Sequence, residues 1–176
     1  MFPDFEWKTD FKFCFDEASG KLTSPERKKG ISWSSDRIIY ILKFSPPYYV
    51  NYKKGKSAVC YIGQGATARR IAAHRETWFQ KVAVLLEGFQ SFDVTIGRPR
   101  VKNNLKAYKK VEGDAVWLFK KHFGEQPLFN QNTPLATAEY SQKMRQGTLK
   151  IFKLAQVSLY SKEIRSLETR KSPQHG

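Results

Sequence analysis

Side chains suited to acid–base and phosphate chemistry lie within one short stretch of this sequence. Tyr61 is followed by Gly63 and Gly65, and then by Arg70 and His74. A phenol, a permanently charged guanidinium and an imidazole can hold a water, neutralise a phosphate and carry a proton. Hydrolysis of a phosphodiester needs these tasks, because it requires an activated water, a stabilised phosphate and a protonated leaving group. The stretch is more typical of such chemistry than of a packed core.

The charge balance of the chain favours a polyanionic partner. Its 176 residues include 31 lysines and arginines against 16 acidic residues, which gives a net charge of +15. Basic domains bind nucleic acids because each neutralised phosphate releases condensed counterions. A protein with many solvated surface lysines would have the same composition, so this alternative stays open. The two cysteines are too few and too far apart to indicate a disulfide framework or a zinc site.

The sequence shows neither a membrane-spanning pattern nor an export pattern. Its first residues lack the basic and then apolar layout of a signal peptide. No apolar run approaches the roughly 20 residues that a helix needs to cross a bilayer. We therefore expect a cytoplasmic protein whose partner is a nucleic acid and not a membrane.

Three segments predict the strands that would position these side chains. Residues 37–44 and 58–62 are rich in β-branched and aromatic residues, and the turn-forming segment 51–56 lies between them. Apolar and polar residues alternate over 92–96, which predicts a third strand. We expect the first two strands to pair as an antiparallel hairpin with long arms.

Apolar residues at helical spacing predict three helices. They cover roughly residues 68–86, 103–122 and 148–168. The apolar stripe of the first helix consists of Ile71, Trp78, Val82 and Leu85. Arg70 and His74 are four residues apart, so they are expected to be neighbours on the flank of that stripe.

Glu112 is an anomaly within the second predicted helix. The apolar stripe of that helix consists of Leu105, Tyr108, Ala115, Phe119 and Phe123. At about 100° per residue, Glu112 projects within the stripe, whereas Asp114 points away from it. A carboxylate among apolar side chains is costly unless a cation or hydrogen bonds compensate it. Either Glu112 reaches solvent or a lysine at the helix edge, or it meets a ligand. The adjacent Gly113 favours the ligand, because glycine allows close approach.

Taken in order, these residues resemble the motifs of the GIY-YIG nuclease superfamily. The matching residues are Ile38, Ile39 and Tyr40, then Tyr61, Ile62 and Gly63, then Arg70 and His74, and finally Glu112 and Asn130. The resemblance spans residues 37–132, about half of the chain. The second motif is the more specific part, whereas Ile38 stands where the family has glycine. Twenty residues separate the two motif tyrosines, which is closest to the restriction-endonuclease members of the family.

The resemblance implies a small three-stranded antiparallel sheet flanked by helices, an α+β fold that binds one divalent metal ion. Glu112 would bind Mg²⁺, or another divalent cation such as Mn²⁺, since a hard cation favours carboxylate oxygen. Arg70 would contact the scissile phosphate through its planar fork. Tyr40 or Tyr61 would orient or deprotonate the attacking water. A tyrosine acting as a base needs positive charge nearby, because a free phenol has a pKa of about 10.

Two further residues would complete the implied site. His74 would relay a proton, and Asn130 would orient neighbouring groups by hydrogen bonds. Each of two positions has a rival in the sequence. Tyr49 competes with Tyr40 for the first tyrosine, and Asn132 competes with Asn130 because the preceding segment is longer than is usual in the family.

The resemblance also divides the chain into a core and two extensions. Residues 37–134 would form the nuclease core, and residues 1–36 would pack on it as an N-terminal extension. Residues 135–176 would form a C-terminal extension that is helical and then frayed. Both extensions would add DNA contacts or a dimer surface.

The expected function is metal-dependent hydrolysis of DNA, with double-stranded DNA as the expected partner. Contacts to backbone phosphates would position the duplex without reading its sequence. The basic residues expected to bind backbone phosphates are Arg98, Arg100, Lys102, Lys106, Lys109 and Lys110. Cutting both strands would require a homodimer on DNA or two successive nicks. Two alternatives stay open, a basic module that binds nucleic acid without cutting it and a nuclease that acts on RNA.

Overall fold

The structure, a computed structural model, describes residues 7–16, 21–23, 37–86, 88–89, 91–99, 104–132, 134, 136, 142–153 and 161–165. The strands are β1 (Trp7–Asp16), β2 (Lys21–Thr23), β3 (Ile38–Phe44), β4 (Tyr48–Tyr52), β5 (Gly55–Ser57), β6 (Val59–Gly65), β7 (Ser91–Gly97) and β8 (Lys162–Arg165). The helices are α1 (Thr67–His74), α2 (Gln80–Leu85), α3 (Ala107–Phe123) and α4 (Gln142–Phe152), and a π-helical segment, Arg75–Phe79, joins α1 to α2.

The main sheet has five strands in the order β2-β1-β7-β3-β6, and all neighbouring strands run antiparallel. Its part β7-β3-β6 consists of the three strands that the sequence predicts, and the α+β class is confirmed. β1, which contains the alternating phenylalanines near the N-terminus, pairs with β7 and extends the sheet. The N-terminal segment therefore contributes two strands to the sheet that carries the motif residues.

The pairing of β3 with β6 brings the two motif tyrosines to one face of the sheet. Tyr40 lies opposite Gly63, and Leu42 lies opposite Tyr61. Paired residues project to the same side, and so do residues two apart on a strand. Tyr40 and Tyr61 are therefore diagonal neighbours on one face. The predicted antiparallel pairing of these two strands is confirmed.

A second sheet includes the two strands that lie between β3 and β6 in the chain. Its order is β5-β4-β8, with β4 and β5 antiparallel and β4 and β8 parallel. The turn predicted at 51–56 is thus the end of a short hairpin. Its tip is bound to the end of α3, because Lys54 N–H donates to Phe123 O at 3.0 Å.

The first predicted helix is interrupted in the middle by a π-helical turn. The π-helical segment Arg75–Phe79 carries an extra residue in its turn, which rotates everything after it relative to an ideal α-helix. Phe79 is fully buried, whereas Val84 and Leu85 are 83% and 79% exposed. The prediction that Leu85 belongs to the apolar stripe is therefore wrong, because it assumed one uninterrupted period.

α3 is buried on more than one side. It packs against β3 and β6 and also against α4. Leu105 precedes the helix and is 66% exposed, so its predicted place in the apolar stripe is wrong. Asp114, expected to point away from that stripe, is also buried. The helix ends at Gly124, which adopts φ of 81°, a left-handed conformation that suits glycine.

The predicted C-terminal helix 148–168 is wrong in both bounds. α4 begins at Gln142 and ends at Phe152, and Lys162–Arg165 form β8 beside β4. β8 has charged residues at three of its four positions, and its strand character depends on pairing with a segment more than one hundred residues away. Among the residues described above, no helix is both long enough and apolar enough to span a membrane.

Candidate active site

The two motif tyrosines lie over Gly63. Their ring centroids are 5.9 Å apart. A Cβ atom added at Gly63 would lie 2.7 Å from Tyr40 Oη and 2.5 Å from Tyr61 Cε1. Any larger residue would displace both rings. The glycine of the second motif is thus explained by the close packing of the two tyrosines against the strand.

His74 connects the helical segment to the first tyrosine. Its Nε2 atom lies 3.0 Å from Tyr40 Oη, and its Nδ1 atom accepts a hydrogen bond from Trp78 Nε1–H at 3.2 Å. Its ring also packs edge-on against Tyr61, with a centroid distance of 4.5 Å. Burial, with a smaller contribution from the Arg70 charge, lowers the pKa of His74 to about 4. The imidazole is therefore neutral at physiological pH.

Arg70 places a fixed positive charge beside both phenols. It lies one turn before His74 on α1 and its side chain is exposed. Burial raises the pKa of Tyr40 far above its usual range and raises that of Tyr61, and in both cases the Arg70 charge and a hydrogen bond from Arg70 act in the opposite direction. The positive charge that a tyrosine acting as a base would need is thus present. Burial raises the pKa of each phenol by more than Arg70 lowers it, so both phenols keep their protons at neutral pH.

A hydrogen bond joins the two phenol groups. This bond raises the pKa of Tyr40 and lowers that of Tyr61. The Tyr40 hydroxyl can donate to Tyr61 while it contacts His74 Nε2, since a hydroxyl has one donor and two acceptor lone pairs. Tyr61 is 9% exposed, whereas Tyr40 is completely covered. Tyr61 is accordingly the phenol at the accessible end of the pair.

Glu112 extends from α3 toward the same place. Burial raises the pKa of its carboxyl to about 7, and the charges of Arg70 and Lys109 lower it only in part. Glu112 also influences the pKa of Tyr61, so the carboxylate and the phenol are close enough to interact. A half-buried carboxylate whose charge is only partly balanced by nearby cations is suited to bind a further cation.

The donor set fits a hard divalent ion. Within the described residues, no group of three or more His, Cys, Asp or Glu side chains is present that would hold a metal ion by protein ligands alone. A lone carboxylate suits Mg²⁺, which keeps several waters and often shares its coordination with substrate phosphates. Glu112 is the residue that would hold such an ion.

Asn130 binds the main chain of the second motif rather than a reactive side chain. Its Oδ1 accepts from Ile62 N–H at 2.9 Å and its Nδ2–H donates to Ile62 O at 2.7 Å. The buried amide thus takes the place of a neighbouring strand at the outer side of β6. It fixes the backbone between Tyr61 and Gly63.

Asn130→Asp is expected to destabilise the fold by about 2–4 kcal/mol, because it leaves Ile62 O without its donor and sets two oxygens against each other. Chemical denaturation monitored by circular dichroism measures the change. Asn132→Asp is the matched control, since Asn132 is exposed, and it should change stability by less than about 0.5 kcal/mol. Equal effects of the two substitutions would contradict this role of Asn130.

The rival residues lie elsewhere. Tyr49 belongs to the second sheet, where its hydroxyl donates to Glu163 Oε2 at 3.2 Å. Asn132 is exposed. The geometry therefore favours Tyr40 over Tyr49 and Asn130 over Asn132.

The expected phosphate-binding residues are only partly described. Arg98, Lys106, Lys109 and Lys110 are exposed, at the end of β7 and around the first turn of α3. Arg100 and Lys102 lie outside the described residues. Lys109 also acts on the Glu112 carboxylate, a link that its spacing of three residues on a helix would have allowed one to predict.

Sequence reasoning missed the contact of Trp78 with His74. Their spacing of four residues on a helix was the available signal, but Trp78 was assigned to the apolar stripe.

Comparisons of the chain with protein-family models, with curated protein sequences and with solved structures found no match. The geometry of the site is therefore the basis for an inference about function.

Proposed function

We propose that this protein is a divalent-metal-dependent endonuclease that hydrolyses DNA phosphodiester bonds. The observation that carries the proposal is the convergence of two phenols, a guanidinium, an imidazole and a carboxylate from β3, β6, α1 and α3. These residues are Tyr40, Tyr61, Arg70, His74 and Glu112. Separately each has an ordinary structural explanation. Together they provide the groups that phosphodiester hydrolysis requires.

Arg70 and Glu112 stabilise charge in this mechanism. The exposed Arg70 guanidinium binds the scissile phosphate, whose negative charge grows as the water attacks. Glu112 would hold Mg²⁺, which would supply positive charge to stabilise the reacting phosphate and would make a bound water more acidic. The Glu112 carboxyl must first lose its proton, since only the ionised form binds a cation.

The tyrosines position the attacking water. Tyr61 lies at the accessible end of the phenol pair, close to Arg70 and Glu112, so its hydroxyl contacts the water. Tyr40 is covered and holds Tyr61 by a hydrogen bond, and His74 in turn contacts Tyr40. The chain of contacts keeps the Tyr61 hydroxyl in one orientation.

The basic residues near the site favour a nucleic-acid substrate over a small phosphodiester. Arg98, Lys106, Lys109 and Lys110 lie on exposed positions around the elements that carry the site. Such contacts neutralise backbone phosphates and do not read bases. Restriction-like cutting of both strands would need two copies of the site, hence a homodimer on DNA or successive nicking.

The first test is an incubation of supercoiled plasmid with the purified protein, with Mg²⁺ or with a chelator. Cleavage should require both the metal and Glu112, so Glu112→Gln should leave the plasmid intact. Glu163→Gln is the matched control, since Glu163 is an exposed carboxylate on the second sheet, and it should cut as well as wild type.

The products distinguish the remaining alternatives. Discrete fragments would indicate sequence-specific, restriction-like cutting, and nicks or a smear would indicate a nonspecific nuclease. Intact plasmid with retarded mobility for wild type and Glu112→Gln alike would contradict the proposal and favour a binding module. Parallel reactions with single-stranded DNA and RNA would identify an RNA-directed enzyme.

A further inference from the structure

The indole of Trp78 determines the direction of the hydrogen bonds around His74. An indole nitrogen only donates, so Nδ1 of His74 must accept at the 3.2 Å contact. A neutral imidazole has one protonated nitrogen, and here that nitrogen is Nε2. The 3.0 Å contact between Nε2 and Tyr40 Oη is then donated by His74. His74 in this state cannot accept the Tyr40 proton.

We propose that Trp78 is a positioning residue, which holds His74 as the Nε2–H tautomer. In this arrangement Trp78 donates a hydrogen bond to His74, His74 donates to Tyr40, and Tyr40 donates to Tyr61. This inference rests on the proposed function, because the Tyr61 hydroxyl is the group that contacts the attacking water there. The opposite tautomer would set the Nδ1–H of His74 against the N–H of Trp78, and one donor would lose its acceptor.

The orientation of the indole is fixed by packing on two sides. Its ring stacks on Phe129 at a centroid distance of 4.0 Å, and Phe79 meets it edge-on at 4.3 Å. Phe129 is itself held to β6, because its N–H donates to Cys60 O at 2.9 Å. The indole N–H therefore cannot turn away from His74 without disturbing the aromatic core.

Trp78 lies one helical turn after His74, within the π-helical segment Arg75–Phe79, so their side chains are neighbours on the helix. Thr77 Oγ1 donates to Ala73 O and His74 O at 3.0 and 3.2 Å, which satisfies carbonyl groups at this irregular turn.

The first measurement is the tautomer of His74 in the folded wild-type protein. Nitrogen-15 NMR of the imidazole rings distinguishes Nε2–H from Nδ1–H, and the spectrum of His74→Gln assigns the signal among the three histidines. We expect the Nε2–H form. A dominant Nδ1–H form overturns the inference, and this result needs neither a Trp78 variant nor nuclease activity.

The second measurement uses Trp78→Phe, which removes the N–H and keeps an aromatic ring for Phe129. We expect a mixture of His74 tautomers, a kcat for plasmid cleavage lower by about tenfold, and an unchanged KM, because Trp78 does not touch DNA. Trp117→Phe is the control, since Trp117 packs against Lys121 and Arg145 away from His74, and it should retain wild-type kcat.

Each outcome separates this inference from the proposed function. An unchanged kcat in Trp78→Phe overturns the positioning role, whatever the tautomer, and leaves the nuclease proposal in place. An equal loss in Trp117→Phe also overturns it, because the effect is then general aromatic packing. A wild-type protein that cuts no DNA, with His74 as Nε2–H, would instead refute the nuclease proposal while the hydrogen-bond direction stands.

Discussion

Arg70→Ala is expected to lower kcat for DNA cleavage by about 10²–10³-fold while DNA affinity falls only slightly. The guanidinium is the fixed cation beside both phenols and next to Glu112, so it acts where charge develops on the phosphate. Contacts of other basic residues with the DNA phosphates supply most of the free energy of DNA binding. Single-turnover cleavage and gel-shift titration measure the two effects separately.

Two variants serve as comparisons for Arg70→Ala. Arg69→Ala removes the same charge from an exposed neighbouring position on α1 and should cut nearly as well as wild type. Arg70→Lys keeps the charge but lacks the planar fork, so an intermediate loss is expected. If Arg69→Ala and Arg70→Ala lose activity equally, Arg70 contributes general charge and does not bind the scissile phosphate.

Glu112→Gln should stabilise the metal-free protein above pH 7 while it abolishes cleavage. Burial raises the pKa of the Glu112 carboxyl from 4.5 to about 7, so the folded state favours the protonated form. The unfolded chain ionises at lower pH, and stability is therefore lost as the pH rises from about 4.5 to about 7. At about 1.4 kcal/mol per pKa unit, the penalty that glutamine removes is at most about 3 kcal/mol.

The pH and metal dependence test this account of Glu112. Chemical denaturation in chelator should show Glu112→Gln and wild type equally stable below pH 4.5 and most different above pH 7. Mg²⁺ should stabilise wild type at pH 8 and have little effect on Glu112→Gln. The Glu163→Gln control should show neither pattern. A pH-independent difference between Glu112→Gln and wild type would mean that the Glu112 carboxyl is not the origin of the effect.

Local patterns in the sequence were enough to identify much of the site. Alternation and β-branched composition predicted β3, β6 and β7, and the four-residue spacing of Arg70 and His74 placed both on one helix. In the structure Tyr40 lies opposite Gly63, and His74 Nε2 lies 3.0 Å from Tyr40 Oη. The position of Glu112 within an apolar stripe also indicated a buried carboxylate, in agreement with its raised pKa.

Features that depend on distant contacts were not predictable in this way. A constant helical period could not reveal the π-helical segment, after which Leu85 points outward. β8 is a strand because it pairs with β4, and its own charged residues do not indicate this. Asn130 looked like a candidate catalytic residue, but its buried amide bonds to main-chain atoms that only the folded sheet brings near it.

The amide of Asn130 also limits how two copies of this chain can associate. β6 is the last strand of its sheet, and the carbonyl of Cys60 is already bonded by Phe129, as both main-chain groups of Ile62 are by Asn130. A second chain can pair with an uncovered edge strand and continue the sheet, and aggregation is the common result. Around Ile62 a second chain cannot pair with β6, so a dimer able to cut both strands would have to form through another surface.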